Sequence, residues 1–234
     1  MRLQLFLSRN GVCSRRKALP IILSGHVKVN GQVISEPSTE VDPQKDTIEC
    51  DGKVIQGKGY SYLLLNKPAG YVTTKEDRFA EKTVFELLPQ EYQHLVPVGR
   101  LDQDTEGLLL FTNDGDLTFG LTHPKFNIDK VYFVRIKGKL EQRHKTLLEN
   151  GIMLEGKKTS PAKINNIKIT GPQTELFITI HEGRKRQIRL MFAELGYPVV
   201  YLKRMAQGPL TLGNLPAGQW RELEQKEIEM LKRT

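Results

Sequence analysis

The segment that most constrains the fold is residues 99–115, which read GRLDQDTEGLLLFTNDG. Its apolar run from Leu108 to Phe111 presents hydrophobic side chains to both faces of a strand, as is typical of a strand buried inside a sheet. The turn sequence NDG then ends that strand. Asp102 and Asp104 stand in the loop that leads into it, so a rigid central strand is expected to position Asp102 as a reactive group.

Charge is unevenly distributed along the 234 residues, whose net charge is +8 at pH 7. A positive balance of this kind indicates a polyanionic partner. Residues 1–30 contain six lysines and arginines and no acidic residue. A second cluster comprises Arg184, Lys185, Arg186 and Arg189. Cations concentrated in two places predict contacts with phosphate groups.

Several classes of protein do not fit the sequence. It has no run near the roughly 18 apolar residues that a membrane helix requires, so no membrane partner is expected. The segment MRLQLFLSRN lacks the features of a signal peptide, which favours a cytoplasmic location. Cys13 and Cys50 form no CxxC pair and the five histidines do not cluster. A disulfide framework and a metal site are therefore not expected.

The N-terminal quarter reads as a compact unit of two helices and two hairpins. LQLFLSR predicts a short helix, and Ser14 is a suitable N-cap for a second helix that begins at Arg15. HVKVNGQVI and DTIECDGKVI each place a strong hairpin turn, Asn-Gly or Asp-Gly, between short strands. The polar, glycine-containing residues 56–60 resemble a linker. We therefore predict domains at 1–56 and 60–234.

The larger second domain alternates strands and helices without a regular βαβ order. Predicted strands are YLLLN, VPVGRL, GLLLFT, VYFVRI, AKINNIKI and ELFITI. Predicted helices are TVFELL, EQRHKTLLENG, GRKRQIRLMFAELG and QKEIEMLK. This pattern predicts an α+β fold with a mixed, mainly antiparallel sheet and flanking helices.

Cations at the start of the second helix point to RNA. Arg15, Arg16 and Lys17 oppose the helix dipole there, and an anionic partner would offset that cost, with Lys28 of the first hairpin nearby. Pro20 removes a backbone hydrogen bond and predicts a kink, at a cost of roughly 3 kcal/mol. The segments LFLSRNGVCSRRKA, GHVKVNGQVI and VDPQKDTIECDGK closely resemble the S4-type RNA-binding domain, over about residues 2–53.

The spacing of Asp102 and Asp104 allows several roles. Both carboxylates could cap the loop by accepting backbone hydrogen bonds, and for Asp104, followed by Thr105, this is the favoured interpretation. For Asp102, capping and catalysis both remain open on spacing alone. A glycosidase pair needs two carboxyl groups held across the substrate, and a magnesium site needs acids beyond Glu106.

Four segments together resemble one enzyme family. GRLDQDTEGLLLFTNDG, LLLNKPAGYVTT, DKVYFVRIKG and EGRKRQIRLMFAELGYPVVYLKR are similar to the motifs of the RsuA/RluB/RluE/RluF group of ribosomal RNA pseudouridine synthases. The resemblance implies the pseudouridine synthase fold and gives Asp102 the role of catalytic nucleophile. It implies that Tyr132 packs against the target base and assists loss of its C5 proton, that Arg189 pairs with the catalytic carboxylate, and that Arg100 fills the gap left by the flipped nucleotide.

These expectations amount to a cofactor-independent isomerase that converts uridine to pseudouridine in ribosomal RNA, with a 23S site preferred over a 16S site. Whether Asp102 attacks C1′, attacks C6 or removes the C2′ proton is left open. The predicted RNA-binding residues are Arg15, Arg16, Lys17, Lys28, Lys67, Arg100, Arg184, Lys185 and Arg186.

Other classes of protein also fit parts of the sequence. A non-catalytic RNA-binding or ribosome-assembly factor is the main alternative, and a glycosidase that releases free uracil is a third. Ribosomal RNA or an assembly intermediate is the expected partner, and a monomer is the default state.

Overall fold

The computed structural model of the chain describes residues 1–75 and 82–234. The chain forms two compact units, each with its own packed interior. The first contains Met1–Ser61, Gln90–Val96 and Thr112–Asp114, and the second contains Tyr62–Pro89, Pro97–Phe111 and Gly115–Thr234. The domain bounds 1–56 and 60–234 stay a prediction, since the first unit also takes in two short segments from later in the chain.

The first unit combines two helices with a small antiparallel sheet. Its elements are α1 (Leu3–Arg9), α2 (Arg15–Leu23), β1 (Val27–Val29), β2 (Gln32–Val33), β3 (Ile48–Cys50) and β4 (Lys53–Val54). The strand order is β2-β1-β3-β4. Its core is formed by α1 residues such as Leu3 and Phe6, Ile22 of α2 and Ile48 of β3. The two-helix, two-hairpin organisation predicted from the sequence is confirmed.

Local signals in this unit act as expected. The Ser14 hydroxyl accepts a hydrogen bond from the Lys17 N–H at 3.3 Å, which caps α2. The residues of the first hairpin turn, Asn30 and Gly31, have φ values of 52° and 82°, as the tight turn requires. Helix α2 continues through Pro20 to Leu23, so the proline does not end it.

The second unit is built on a large mixed sheet. Its strands are β5 (Tyr62–Lys67), β6 (Val96–Pro97), β7 (Glu106–Thr112), β8 (Lys130–Lys137), β9 (Met153–Leu154), β10 (Lys157–Lys158), β11 (Lys163–Thr170), β12 (Gln173–Ile180), β13 (Val199–Gln207), β14 (Leu210–Thr211) and β15 (Trp220–Glu222). The main order is β11-β12-β8-β13-β7-β5-β15, and β13 pairs with β7 in parallel while β8 and β12 are antiparallel neighbours. The predicted mixed sheet is confirmed.

Helices flank this sheet, and some differ from the sequence prediction. They are α3 (Gly115–Thr122), α4 (Gln142–Asn150), α5 (Gln187–Glu194) and α6 (Gln225–Lys232). TVFELL was predicted as an α-helix but forms a short 3₁₀ helix, Val84–Leu87, whereas α3 was not predicted. Helix α5 begins later than predicted, after Arg186 in a left-handed conformation. Within the described residues, no helix is long and apolar enough to cross a membrane.

Strand β7 lies inside the sheet, between β13 and β5, as its apolar sequence predicted. Leu108 and Phe111 are completely buried. Gly107 has φ of +105°, and a Cβ atom placed on it would lie 2.2 Å from the Arg204 carbonyl oxygen on β13. A glycine is therefore needed here because two backbones approach closely, a requirement that the sequence alone did not reveal.

We expect Gly107→Ala to lower the free energy of unfolding by about 3 kcal/mol or more, because the new methyl group must displace backbone in the middle of the sheet. Urea denaturation measures the change. Gly115→Ala at the start of α3 is a matched control, since a Cβ there meets no atom within 4 Å. Equal unfolding midpoints for the two variants would contradict the prediction.

Candidate active site

A cavity of about 580 Å³ in the second unit brings together most of the residues that the resemblance singled out. Asp102 enters from the loop before β7 and Tyr132 from β8, with Arg100 at the same cavity. Its apolar lining includes Ile180 and Leu202. The remaining predicted cations that line it are Arg184, Lys185 and Arg186. The cavity thus combines one carboxylate, one aromatic ring and several cations.

Tyr132 reaches this cavity because of the alternation along β8. Successive β8 residues alternate between buried and partly exposed positions, and Tyr132 is 8% exposed on the buried face. Its neighbours in the sheet are Ile178 on β12 and Arg204 on β13. Arg204 is also buried, and its Nε donates to the Leu108 carbonyl at 2.7 Å. Tyr132 is therefore held in register by pairing on both sides.

Lys67 lies buried beneath the aspartate loop, although the sequence analysis predicted it as an RNA-binding residue. Its Nζ is within hydrogen-bond distance of the carbonyls of Asp102 (3.0 Å), Gln103 (3.2 Å) and Thr105 (2.7 Å), and of the adjacent Pro68 (3.1 Å). Three ammonium protons can serve three of these four acceptors at one time. The ammonium thus ties the backbone of the Asp102 loop to the end of β5.

Complete burial of Lys67 contradicts its prediction as an RNA-binding residue. The side chain has no exposed surface, so it cannot meet a phosphate from solution. Burial lowers the pKa of Lys67 to about 8, although the nearby carboxylates of Asp104, Asp102 and Glu106 oppose the shift. Lys67 is therefore a positioning residue for the loop that carries Asp102.

A second set of contacts fixes the same loop from Thr73. Its hydroxyl donates to the Leu101 carbonyl at 2.9 Å and accepts from the Leu101 N–H at 3.3 Å. The Gly70 N–H donates to the Gln103 carbonyl at 2.8 Å. The segment after β5 therefore holds residues on both sides of Asp102.

Asp104 pairs with Arg189, which the resemblance assigned to Asp102, and also with Arg186. Arg186 forms a bidentate pair with its carboxylate, at 3.0 and 2.9 Å. Arg189 Nε lies 3.3 Å from Asp104 Oδ2, and an Arg189 Nη donates to the Asp104 carbonyl at 2.7 Å. The predicted pairing of Arg189 with the catalytic carboxylate is therefore replaced in this structure by a pairing with Asp104.

These arginines also change the interpretation of Asp104. Burial raises the pKa of its carboxyl, but the Arg186 hydrogen bonds and the Arg189 charge outweigh burial and hold the pKa below its usual range. Asp104 does hold the loop, as expected, but mainly by fastening it to two arginines rather than by capping it locally. The sequence could not show this because the partners lie more than 80 positions away.

Arg184 is also engaged within the protein. Its guanidinium donates to the carbonyls of Lys157 at 3.1 Å and Lys158 at 2.6 Å, and lies 3.3 Å from the Glu182 carboxylate. It therefore holds the β9–β10 hairpin against the cavity rim. To bind RNA, Arg184 would have to give up some of these contacts. In the same way, Arg186 would have to give up its pair with Asp104.

Other predicted RNA-binding cations are solvent-exposed. Arg100 and Lys185 are exposed at the cavity. Arg15, Arg16, Lys17 and Lys28 are exposed in the first unit, the first three at the start of α2 and the last on β1. Exposure is compatible with a role in RNA binding, which stays a prediction for all six. Among the residues described, no group of three or more His, Cys, Asp or Glu side chains could hold a metal ion.

Known proteins place the chain in a family. Residues 61–194 match the RNA pseudouridylate synthase family, and residues 1–48 match the S4 domain. An RNA pseudouridine synthase of Aquifex aeolicus is 42% identical over 99% of this chain and 93% of its own length. The ribosomal large subunit pseudouridine synthase B of Bacillus subtilis is 42% identical over 99% of this chain and 95% of its own length.

A solved structure gives the same result for the fold. The crystal structure of a pseudouridylate synthase superposes with a TM-score of 0.70, at 33% identity and with 99% of each chain covered. The S4 match comes first along the chain and the synthase match follows it. The chain therefore belongs to the RNA pseudouridine synthases, isomerases that act on uridine in RNA, and it carries an S4 domain before its catalytic domain.

Proposed function

We propose that this enzyme converts a uridine of large-subunit ribosomal RNA to pseudouridine, with Asp102 as the nucleophile and the target base flipped into the cavity. The observation that carries the proposal is that Asp102 and Tyr132 line one cavity together with the exposed Arg100. The ribosomal target is supported by the 42% identity to the large subunit enzyme of Bacillus subtilis.

The proposed chemistry depends on a carboxylate held in a fixed position rather than on an added cofactor. The reaction breaks the N1–C1′ bond of uridine, joins C1′ to C5, and moves a proton from C5 to N1. No atom is gained or lost in the conversion. A carboxylate that assists these steps must be held in place against the sugar and base. Lys67 supplies that positioning through the backbone of the Asp102 loop.

The cavity walls suit a base removed from its stack. Enzymes that act on a base commonly extrude it into a pocket and hold it against aromatic or apolar side chains. Tyr132, Ile180 and Leu202 offer such a surface. Arg100 is exposed at the same cavity and, on this proposal, occupies the gap that the flipped base leaves in the RNA.

Product analysis tests this proposal. Purified enzyme is incubated with transcripts of large-subunit or small-subunit ribosomal RNA carrying tritium at C5 of uridine. We expect tritium release from the large-subunit transcript, one pseudouridine formed for each tritium released, and no free uracil. Free uracil would indicate a glycosidase, and release from the small-subunit transcript alone would contradict the proposed target.

The cations of the S4 domain provide a separate prediction. Replacing Arg15, Arg16 and Lys17 with glutamine should weaken RNA binding roughly 10-fold at moderate salt and reduce the salt slope of log K by about 2, because phosphate contacts release counterions. Lys53→Gln, an exposed lysine on β4 of the same unit, is the control. An unchanged salt slope in the triple variant would exclude these contacts.

A further inference from the structure

Two phenylalanines of the second unit are unusually exposed for their size. Phe119 on α3 and Phe126, in the 3₁₀ helix Pro124–Phe126, have 49% and 40% of their surface in solvent. Their ring centroids are 5.8 Å apart in an edge-to-face arrangement. The His123 ring lies 4.8 Å from Phe119 and 6.3 Å from Phe126. We call Phe119, His123, Lys125 and Phe126 the aromatic cluster.

A cation sits over the two phenylalanines. Lys125 Nζ lies 5.0 Å from the Phe119 centroid and 4.6 Å from the Phe126 centroid, within the range of a cation–π contact. His123 and Lys125 are exposed as well. The cluster therefore offers aromatic surface and positive charge to the same volume of solvent.

Local backbone contacts, rather than burial, hold the cluster in shape. The His123 N–H donates to the Phe119 carbonyl at 2.9 Å, and His123 Nδ1 accepts from the Lys125 N–H at 3.2 Å. Asn127 then ends the 3₁₀ helix in a left-handed conformation, with φ of 50°. The opposite side of α3 supplies Leu121 to the core. Packing of the interior thus gives no reason for phenylalanine at the two exposed positions.

The cluster lies close to the chain segment that enters the cavity. A Cβ placed on Gly99 would lie 3.7 Å from Thr122 Cγ2, so the last residue of α3 lies beside the residue before Arg100. Arg100 lines the cavity that contains Asp102. Through Thr122 and Gly99, the aromatic cluster therefore adjoins the chain segment that brings Arg100 to the cavity.

We propose that the aromatic cluster is a stacking platform for unpaired nucleotides that flank the target uridine. This inference rests on the proposed function, because it requires an RNA substrate in the cavity. Exposed aromatic rings stack on bases of any sequence, and adjacent cations contact the phosphates that connect them. The +8 net charge and the ammonium held over both rings favour a nucleic acid over an apolar protein surface as the occupant.

Measurements of RNA binding by the full chain test the platform independently of enzymatic activity. The probes are a 12-nucleotide oligouridine and an RNA duplex of the same length. Phe119→Ala/Phe126→Ala should weaken oligouridine binding roughly 30-fold, while duplex binding changes less than about twofold. Leu147→Ala/Ile169→Ala is the matched control, since these side chains on α4 and β11 are 48% and 53% exposed, and it should bind both probes normally.

Two further measurements test the platform. Phe119→Tyr/Phe126→Tyr retains the aromatic faces and should restore oligouridine binding, and 4-thiouridine in the probe should crosslink to the peptide containing Phe119 or Phe126. Unchanged oligouridine affinity in the alanine variant, or equal losses for both probes, would overturn the platform. So would a loss of self-association by sedimentation with RNA affinity intact, which would indicate a protein interface.

The two proposals fail in different ways. If no pseudouridine forms but oligouridine binding depends on the two phenylalanines, the proposed function fails, and with it the position of the cluster beside a target uridine, while stacking of unpaired nucleotides on the cluster is supported. If pseudouridine forms normally in ribosomal RNA and binding does not depend on them, only the platform is overturned.

Discussion

Lys67→Met is expected to cost about 3 kcal/mol of unfolding free energy and most of the enzymatic activity. Methionine fills a similar volume but cannot donate to the carbonyls of Asp102, Gln103 and Thr105, which lie within 3.2 Å of the ammonium. Those buried acceptors lose a charged partner, and the loop that carries Asp102 loses its attachment to β5. Both thermal unfolding and single-turnover tritium release should therefore change.

Lys137→Met provides a matched control for this prediction. Lys137 is the last residue of β8, as Lys67 is of β5, but it is exposed. If Lys67 were an RNA-binding residue, as its sequence suggested, Lys67→Met would weaken RNA binding and leave thermal stability unchanged. We expect the reverse, with normal RNA affinity and a lowered unfolding temperature.

The sequence predicted the residues around the cavity better than the contacts among them. Asp102, Tyr132 and Arg100 could be singled out because each stands in a segment that resembles a family motif, and they do line one cavity. The role of Lys67 could not be predicted, because a lysine in a basic chain is normally exposed. Only the structure shows that β5 ends under the aspartate loop.

The exchange of partners by Arg189 has a similar cause. The resemblance places an arginine near the catalytic loop, but it does not decide between two carboxylates only two positions apart. The conformation of the loop determines which carboxylate Arg189 meets. In this structure both Arg189 and Arg186 pair with Asp104. Asp104 therefore stabilises the loop while Asp102 remains at the cavity.

Helix α3 and strand β13 were not predicted from the sequence. Helix α3 contains Gly115 and Gly120, and glycine disfavours a helix. The sequence NDG at its start therefore predicted only a turn. Strand β13 begins directly after Tyr197-Pro198, close to the end of the predicted helix GRKRQIRLMFAELG. Strand β13 is stabilised by pairing with β7 and β8. Its close approach to β7 also requires a glycine at position 107.

We propose Asp102 as the reacting group, held in position by the residues around it. Asp102→Asn removes the charge with little change in shape, and we expect pseudouridine formation to fall by at least about 10³-fold. RNA affinity and thermal stability should stay within about twofold and 1 kcal/mol of the unmodified enzyme, since Asp102 lines the cavity and is only half-buried. Asp116→Asn, an exposed aspartate on α3, is the matched control and should react normally.

The decisive measurement is single-turnover pseudouridine formation by Asp102→Asn on a ribosomal RNA transcript that the unmodified enzyme converts, with binding of the same transcript measured in parallel. We expect the variant to bind the transcript and to leave its uridine unconverted. Formation of pseudouridine at a rate comparable with that of the unmodified enzyme would exclude Asp102 as the nucleophile.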